Sequence, residues 1–464
     1  MKKKINIFKT ITVGIIGYLF PSFCSAQIIG AGGGHCLRIC SNNIVQTWGY
    51  NNLGQLGNGN NIESHVPVQV WLLNGVSAVS GGNFHSVALK SDGTVWAFGE
   101  GQSGTGYSVN YPVQVSSLSG ITAVAAGDGF CLALKNNGTV WAWGINGNGQ
   151  LGNGANTYSS IPVQVSSLTG VTAIACGGPH SIALKSNGTV WTWGRNADGQ
   201  LGNGTLVDSN IPVQVSSLTG VTAISAGRWN CLALKNDGSL WDWGRNYNGQ
   251  LGNGGITDSN IPVQVNSIPG VIAISTGNSF NLALKNDGTV WSWGWNGSGQ
   301  LGNGTITDSH VPVQVNALTG IVEISCGDSH SIALKNDGTT WAWGWNGWGQ
   351  LGDGSITDSP VPVQVTGLCS VFTSINEIDH SSSITVSPNP FRELVTADFN
   401  LTKESNIEIS IINVLGQTVK KYSEKMNPGN TKQIIEMSDL PANLYLIRVL
   451  INDEQKVFNT IKID

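Results

Sequence analysis

The sequence is short of charge, of methionine and of long apolar segments. Charged residues make up 11% of its 464 residues, against roughly 25% in ordinary soluble domains. A mainly α-helical protein is disfavoured, because Lys, Glu and Arg are scarce on the surface and 62 glycines weaken helix interiors. The net charge of −5 and pI near 5.8 leave no clustered basic footprint for nucleic acid or anionic lipid. We therefore expect an all-β protein without a nucleic-acid partner.

The first 26 residues have the pattern of an export signal. Lysines at positions 2–4 precede the apolar run 11–20, and Cys24-Ser25-Ala26 offers small residues for cleavage. The apolar run is far shorter than the roughly 20 residues that span a bilayer. We predict a mature chain that begins at Gln27 and has no membrane span. A lipoprotein acylated at Cys24 is the alternative.

The cysteines show no pattern of a metal or redox site. Cys36 and Cys40 would lie on one strand about 13 Å apart, beyond the ~7 Å that a disulfide allows. No pair has the CxxC spacing of a zinc or redox motif. We interpret the cysteines as small buried apolar residues and predict no metal or cofactor. Seven remain after cleavage: Cys36, Cys40, Cys131, Cys176, Cys231, Cys326 and Cys369.

Internal repetition is the dominant signal. A Trp-Gly step recurs every 50 residues from Trp143 to Trp343, and Trp48-Gly49 and Phe98-Gly99 bring the copies to seven. In the last copy IVEIS, SIALK, TTWAWG and VPVQV indicate four short strands, with NDG as a hairpin signal. Seven such units over residues 27–370 predict a closed β-propeller, which leaves only short, protected edges. A linear solenoid is the alternative, but it would carry polar capping repeats.

Two columns of the repeat indicate packing. Tryptophans such as Trp141 and Trp143 lie two residues apart on a strand, hence on one face, where large aromatics normally fill the core between blades. The residue before the recurring glycine is small in every copy, which suits a crowded central axis. The small residues are Ala31, Gly81, Ala126, Cys176, Ala226, Thr276 and Cys326.

The ordered motifs of the repeat carry a family resemblance. A glycine, then HSIALK, NDGT, WxWG, NxxGQLG and PVQV, resembles the regulator of chromosome condensation repeat family. The resemblance implies a seven-bladed β-propeller. Its members include a nuclear nucleotide-exchange protein that docks on chromatin, a secreted β-lactamase inhibitor and a tryptophan-based ultraviolet photoreceptor. The fold therefore does not decide the function.

A second domain follows the repeats. Residues 371–384 have the composition of a linker, and in residues 385–464 the alternating segments 407–414 and 444–451 predict strands of a small β-sandwich. Motifs SPNP, INVLGQT and DLPANLYLIRV, in this order, resemble the type A sorting domain of the type IX secretion system. The resemblance implies the type IX machinery as partner and delivery through the periplasm to the cell surface or medium. The motif residues are Pro388, Asn389, Pro390, Gly416, Leu444 and Tyr445.

No residue pattern indicates catalysis. Four histidines share one repeat column, but Phe or Asn replaces them in the other three copies, which favours a structural role over metal binding. Asp208, Asp258, Asp308 and Asp358 are symmetric and indicate turn caps rather than one acid–base pair. Neither a Gly-x-Ser-x-Gly elbow nor a P-loop occurs. We expect a protein that is not an enzyme.

Binding is the function that the loops favour. Alternating strands place the turn after the first strand and the long loop after the third on one face, which varies between copies. Arginine and tryptophan are enriched in interface hot spots. We predict a site for an extracellular protein or glycan at Arg195, Arg228, Trp229, Arg245, Trp295, Trp345 and Trp348. The alternatives are GTPase nucleotide exchange, against which export argues, and an extracellular enzyme or enzyme inhibitor.

Overall fold

A computed structural model describes nine segments of the chain: residues 27–40, 43–101, 106–369, 383–387, 393–401, 403–412, 418–441, 444–451 and 454–461. The predicted export signal, residues 1–26, lies outside them. The chain divides into two compact units between Leu368 and Cys369. Across these segments no helix is long and apolar enough to cross a membrane.

The first unit consists of seven four-stranded sheets, each built from one repeat. Blades 1 to 3 contain β1 (Ile29–Ala31), β2 (His35–Ile39), β3 (Val45–Gly49), β4 (Ser64–Gln69); β5 (Val76–Gly81), β6 (His85–Lys90), β7 (Val95–Gly99), β8 (Val109–Gln114); β9 (Ile121–Ala126), β10 (Phe130–Lys135), β11 (Val140–Gly144) and β12 (Ser159–Gln164).

The other four blades repeat this plan. They contain β13 (Val171–Cys176), β14 (His180–Lys185), β15 (Val190–Gly194), β16 (Ser209–Gln214); β17 (Val221–Ala226), β18 (Asn230–Lys235), β19 (Leu240–Gly244), β20 (Ser259–Gln264); β21 (Val271–Thr276), β22 (Phe280–Lys285), β23 (Val290–Gly294), β24 (Ser309–Gln314); β25 (Ile321–Cys326), β26 (His330–Lys335), β27 (Thr340–Gly344) and β28 (Ser359–Gln364). The predicted seven-bladed all-β fold is confirmed.

Asp-Gly and Asn-Gly steps form the hairpins between the second and third strands, as the sequence predicts. In blade 5, Gly238 has a φ of +80°, and the amide of Gly238 donates to the carbonyl of Lys235 at 2.9 Å. The Asp237 carboxylate accepts a hydrogen bond from the Ser239 amide at 2.9 Å. The aspartate thus fixes the turn, and the glycine supplies the conformation that other residues avoid.

The second tryptophan of each Trp-x-Trp pair packs between blades, as its position predicts. Trp243 is fully buried, and its indole N–H donates to the carbonyl of Gln200 in the preceding blade at 3.0 Å. Gly202 lies against the same indole, so closely that a Cβ there would be 2.7 Å from the ring. The Gly-Gln-Leu-Gly loop of one blade therefore forms the packing site for the tryptophan of the next blade. The same indole bond recurs at Trp48, Trp193, Trp293 and Trp343.

The recurring glycines form a closed ring around the axis. A Cβ on Gly227 would collide with the carbonyl oxygen of Gly277, and a Cβ on Gly327 with that of Gly32. Across the same junctions the Arg228 amide donates to Gly277 at 3.1 Å and the Asp328 amide to Gly32 at 3.3 Å. Because the last repeat contacts the first as neighbours contact elsewhere, the ring closes and the solenoid alternative is excluded.

The closing seam joins two complete blades. Strand β28 pairs with β27 of its own repeat, so no strand is shared between blade 7 and blade 1. Arg38 and Glu323 lie at this seam, at positions where blades 2–6 all carry alanine. Glu323 accepts hydrogen bonds from the amides of Ile28 (2.9 Å) and Ile29 (3.2 Å). Burial raises the pKa of Glu323 to about 7, although these hydrogen bonds and the nearby charge of Arg38 each act to lower it.

The cysteines divide into two classes. Cys40 and Cys369 each take part in a disulfide bond, so our interpretation of every cysteine as an apolar filler is wrong for these two. Cys36 is a free thiol, which agrees with the prediction that it does not pair with Cys40. Free thiols occur at five described positions, and burial raises the pKa of each: Cys36, Cys131, Cys176, Cys231 and Cys326.

The second unit contains two antiparallel sheets, in the orders β29-β30-β33 and β32-β31-β34-β35. Its strands are β29 (Ser383–Ser387), β30 (Leu394–Leu401), β31 (Ser405–Ile412), β32 (Thr418–Met426), β33 (Gly429–Glu436), β34 (Leu444–Ile451) and β35 (Glu454–Ile461). Alternate residues of both sheets, such as Phe399 and Ile409, share one buried core. This is the small β-sandwich that the alternating segments predict.

The close packing of glycines at the axis predicts that a larger residue there destabilises the propeller. Gly227→Ala should lower the free energy of unfolding by about 1–3 kcal/mol or more, because its methyl group meets backbone that the ring holds in place. Gly147→Ala is the matched control, since nothing lies within 4 Å of a Cβ there. Urea unfolding of the two variants checks this. Equal stability of Gly227→Ala and wild type would contradict close packing at the axis.

Candidate binding face

The turns after each first strand and the loops after each third strand lie side by side on one end of the propeller, here called the turn face. The amide of Arg245, after the third strand of blade 5, donates to the carbonyl of Trp229 in the turn at 3.0 Å. Trp345 makes the same bond to Ser329 at 2.9 Å. The turn face therefore carries every arginine and tryptophan that the sequence analysis selected.

The central channel opens on the turn face and is crossed there by an arginine. The predicted small-residue column and the axial glycines line a cavity of about 80 Å³. Arg228 lies 3.0 Å from an oxygen of Asp128 and 3.5 Å from one of Asp328, which belong to blades 3 and 7. Burial raises the pKa of Asp328 to about 6, and Arg228 opposes this rise. Arg228 is thus neutralised within the propeller.

Trp229 gathers three guanidinium groups around one indole. The centres of Arg195, Arg228 and Arg245 lie 5.3, 5.7 and 5.5 Å from the Trp229 ring centroid. Arg245 also lies 4.7 Å from the ring of Tyr247. We call Arg195, Arg228, Trp229, Arg245 and Tyr247 the arginine–tryptophan cluster. A guanidinium that contacts a ring through its face can still offer its N–H edge to a carboxylate in bidentate fashion.

A second group of rings lies on blades 7, 1 and 2. Trp345 and Trp348 meet edge to face at 4.5 Å, and Trp348 lies 4.2 Å from Tyr50, which in turn contacts Phe84 at 5.9 Å. Gly34 lies under Trp348 with no room for a Cβ. All four rings are half-buried. They form a rigid apolar patch, here called the aromatic patch.

Trp295 belongs to neither group. Its indole covers Gly297 of its own loop, where a Cβ would lie 2.9 Å from the ring. The seven predicted site residues therefore fall into a cationic group, an aromatic group and one separate tryptophan.

The histidine column is structural. His35, His85, His180 and His330 are fully buried, and their Nε2 atoms pair with Ser or Cys of the next blade, as in His180 with Cys231 Sγ at 3.0 Å. Burial lowers the pKa of each histidine, to about 3 for His35 and His180 and about 4 for His85 and His330. They are neutral packing residues. Among the described residues no cluster of three or more His, Cys, Asp or Glu could hold a metal.

The loop aspartates cap turns, as predicted. Asp258 accepts a hydrogen bond from the Asn246 amide at 2.7 Å, and Asn246 donates in turn to the carbonyls of Gly255 and Thr257, both at 3.1 Å. The same amide-to-carboxylate bond fixes the loops of Asp208, Asp308 and Asp358. These loops are therefore held rigid before any ligand arrives.

One buried carboxyl group escaped the sequence analysis. Asp242 is fully buried in blade 5 and accepts hydrogen bonds from Asn230 (3.0 Å) and Asn281 (3.1 Å). Burial raises its pKa well above the usual range, and the two amides act the other way. Asn230 stands in the column that holds histidine in four blades, and Asn281 stands in the column of the Ser or Cys that pairs with the histidine of the preceding blade. In the other six repeats the position of Asp242 holds Ala, Thr or Ser. The single aspartate was therefore the sequence signal that could have revealed the buried carboxyl group.

Other residues of the turn face also escaped prediction. Asp128 and Asp328 occupy the same column as Arg228, directly after the axial glycine, so their shared position could have indicated contact across the axis. Tyr50, Phe84 and Tyr247 complete the two ring groups.

The residues of the predicted sorting motif are only partly described. Pro388, Asn389, Pro390 and Gly416 lie outside the described residues, and Leu444 begins β34. Tyr445 is buried, and its hydroxyl donates to the Pro441 carbonyl at 2.8 Å.

Comparison with curated proteins finds short similar segments. The chain is 36% identical to the ultraviolet-B receptor UVR8 of Arabidopsis thaliana over 78 residues, which is 16% of this chain and 18% of that protein. It is 33% identical to the human E3 ubiquitin-protein ligase HERC2 over 84 residues, 18% of this chain and 2% of that protein. The matches thus span only a small part of these relatives.

Comparison with solved structures finds the same propeller. Human WBSCR16 superposes with a TM-score of 0.63 at 26% identity, covering 70% of this chain and 94% of that one. Prp20p of Saccharomyces cerevisiae superposes with a TM-score of 0.65 at 21% identity, covering 75% and 90%.

Family comparison covers both units. Residues 385–463 match the secretion system C-terminal sorting domain, which indicates secretion to the cell surface or medium by the type IX machinery. Residues 44–89 and 76–105 match regulator of chromosome condensation (RCC1) repeats. Residues 105–386 match the RCC1-like domain, more than half of the chain. The chain therefore belongs to the RCC1-like domain family.

Proposed function

We propose that this protein is a secreted, non-catalytic binding module whose turn face recognises an extracellular protein or glycan. The observation that carries the proposal is the convergence of Arg195, Trp229 and Arg245, together with the aromatic patch, on loops that capped turns hold rigid. A preorganised surface loses less entropy on binding. Trp, Tyr and Arg are enriched among the few residues that carry most of the binding energy at protein interfaces.

A non-catalytic role is part of the proposal. Histidines and thiols are the side chains most often used as bases and nucleophiles. The four histidines of the repeat column are fully buried in the blades, and four of the five free thiols at described positions are buried as well. Burial holds the histidines neutral and the thiols protonated. These groups pair with one another across blade junctions, as His85 does with Cys131 at 3.1 Å. They therefore serve packing better than chemistry with a bound substrate.

The test is a binding screen with the full chain against a glycan array and a surface proteome. A variant with Arg228, Trp229, Trp295 and Trp345 changed to alanine should lose the partner that the wild type captures, by at least about tenfold in affinity. A matched control is Ile272→Ala with Val322→Ala. These exposed apolar residues lie near the starts of β21 and β25, at the ends of the strands away from the turn face. Retention of every partner by the quadruple variant would show that the turn face does not bind.

A further inference from the structure

We infer that the arginine–tryptophan cluster is a docking site for an acidic segment of a protein partner, with Arg195 and Arg245 each holding a carboxylate. This inference rests on the proposed function and names the partner's chemistry. The charge distribution is its first support. Residues 27–370 contain four arginines within a chain of net charge −5, and three of the four contact Trp229.

The three arginines differ in what neutralises them. Arg228 has two carboxylates, Asp128 and Asp328, within 3.5 Å. Arg195 has a single, longer contact of 3.7 Å to Asp198, and such exposed pairs contribute little. Arg245 makes no ion pair within the described part of the chain, where it contacts the rings of Trp229 and Tyr247. Two cations on the cluster therefore remain available to a partner.

The cluster is also short of hydrogen-bond acceptors. The Nε atoms of Arg195 and Arg245 are buried, and among the described residues they have no hydrogen-bond partner. Both residues are half-buried, so part of each remains exposed to solvent. An arriving carboxylate would bring charge-assisted hydrogen bonds, which are about twice as strong as neutral ones. The ligand that the cluster lacks is thus an acceptor with negative charge.

The geometry favours a peptide over a sugar. Arg195 and Arg245 lie 5.3 and 5.5 Å from one ring centroid, so their guanidinium centres are at most about 11 Å apart. Alternate side chains of an extended strand are ~7 Å apart, so two carboxylates two residues apart fall within this range. The Trp229 ring is contacted by guanidiniums, which leaves it unavailable as a flat platform for a pyranose ring. Acidic side chains two residues apart are therefore the occupant that fits.

The experiment measures binding of the full chain to a synthetic peptide of alternating glutamate and glycine, with the glutamine–glycine peptide and polygalacturonate as comparisons. The wild type should bind the glutamate peptide, more weakly as salt rises. Arg195→Gln with Arg245→Gln should weaken binding by at least about tenfold. The control is Lys135→Gln with Lys185→Gln, two cations that lie 5.4 Å from Trp141 and Trp191 at the hairpins of the opposite face.

Each outcome decides the question once circular dichroism shows that both variants are folded. A loss confined to the arginine variant supports the site. No binding of the glutamate peptide, equal loss in the lysine control, or binding of polygalacturonate alone would overturn it. If the partner from the binding screen is lost by the quadruple variant yet retained by the Arg195/Arg245 variant, the turn face binds and this inference fails. Retention by both variants would overturn the proposed function itself.

Discussion

Trp243→Ala should lower the free energy of unfolding by about 3–5 kcal/mol, the cost typical of emptying a buried tryptophan site. The indole is fully buried between blades 4 and 5, packs on Gly202 and donates to the Gln200 carbonyl at 3.0 Å. Truncation removes this bond and leaves a cavity at a junction that two blades share. Urea or thermal unfolding, followed by tryptophan fluorescence and circular dichroism, measures the effect.

Blade 2 provides the control for this substitution. Phe98 occupies the Trp243 position there and is fully buried, so the column accepts a phenyl ring. Trp243→Phe should therefore cost clearly less than Trp243→Ala, with the lost indole bond contributing about 1 kcal/mol. Equal costs for the two variants, or a cost below about 0.5 kcal/mol for alanine, would contradict a core role for this column.

Acid should unfold the propeller between pH 6.5 and about 4, because four buried histidines must gain protons. Burial lowers the pKa of His35 and His180 to about 3 and that of His85 and His330 to about 4. The unfolded chain binds protons near pH 6.5, so the stabilisation is complete above that pH and is lost as the pH falls. Each histidine contributes of the order of 3–5 kcal/mol, and the sum rivals the typical stability of a domain.

Three carboxyl groups act in the opposite direction. Burial raises the pKa of Glu323 to about 7, that of Asp328 to about 6 and that of Asp242 well above its usual range. Their contribution is present at low pH and is lost as the pH rises through these values. Four histidines outnumber the three carboxyl groups, so the net effect between pH 6.5 and 4 is destabilisation.

His330→Phe isolates one histidine of the column. Phe130 and Phe280 already fill this column in blades 3 and 6. At pH 4.5 the variant should avoid about 2–3 kcal/mol of the loss that wild type suffers relative to pH 7. His310→Asn is the control, since His310 is exposed and Asn210 and Asn260 hold the equivalent positions. An unchanged pH dependence in His330→Phe would show that the histidines do not govern acid unfolding.

The repeat made the propeller predictable from sequence. The same tryptophans, hairpin signals and small axial residues recur at regular spacing along the repeats. Trp243 could therefore be assigned to the core, and Gly227 to the axis, from their positions in the repeat. Closure by two complete blades was not predictable, because strand β28 could equally have completed blade 1. The way the ring closes depends on the side chains at the seam between blades 7 and 1, where Arg38 and Glu323 stand at positions that hold alanine in blades 2–6.

The turn face was predictable as a list of residues but not as an arrangement. Alternating strands place Arg195, Trp229 and Arg245 at one end of the blades, yet the stacking on one indole depends on side-chain directions between blades. The bridge from Asp128 through Arg228 to Asp328 joins residues 100 positions apart. Only the radius of the closed ring brings them within contact. The sequence therefore selected Arg228 as a ligand-binding residue without indicating the two carboxylates that contact it.

Hydrogen exchange on the complex with the captured partner tests most directly whether the turn face is the binding surface. Binding should slow exchange of amides in the turns and loops around Trp229, Arg245 and Trp345, and leave the Asn-Gly and Asp-Gly hairpins at the opposite end unchanged. Protection of those hairpins without protection of the turn face would contradict the assignment of function to these loops.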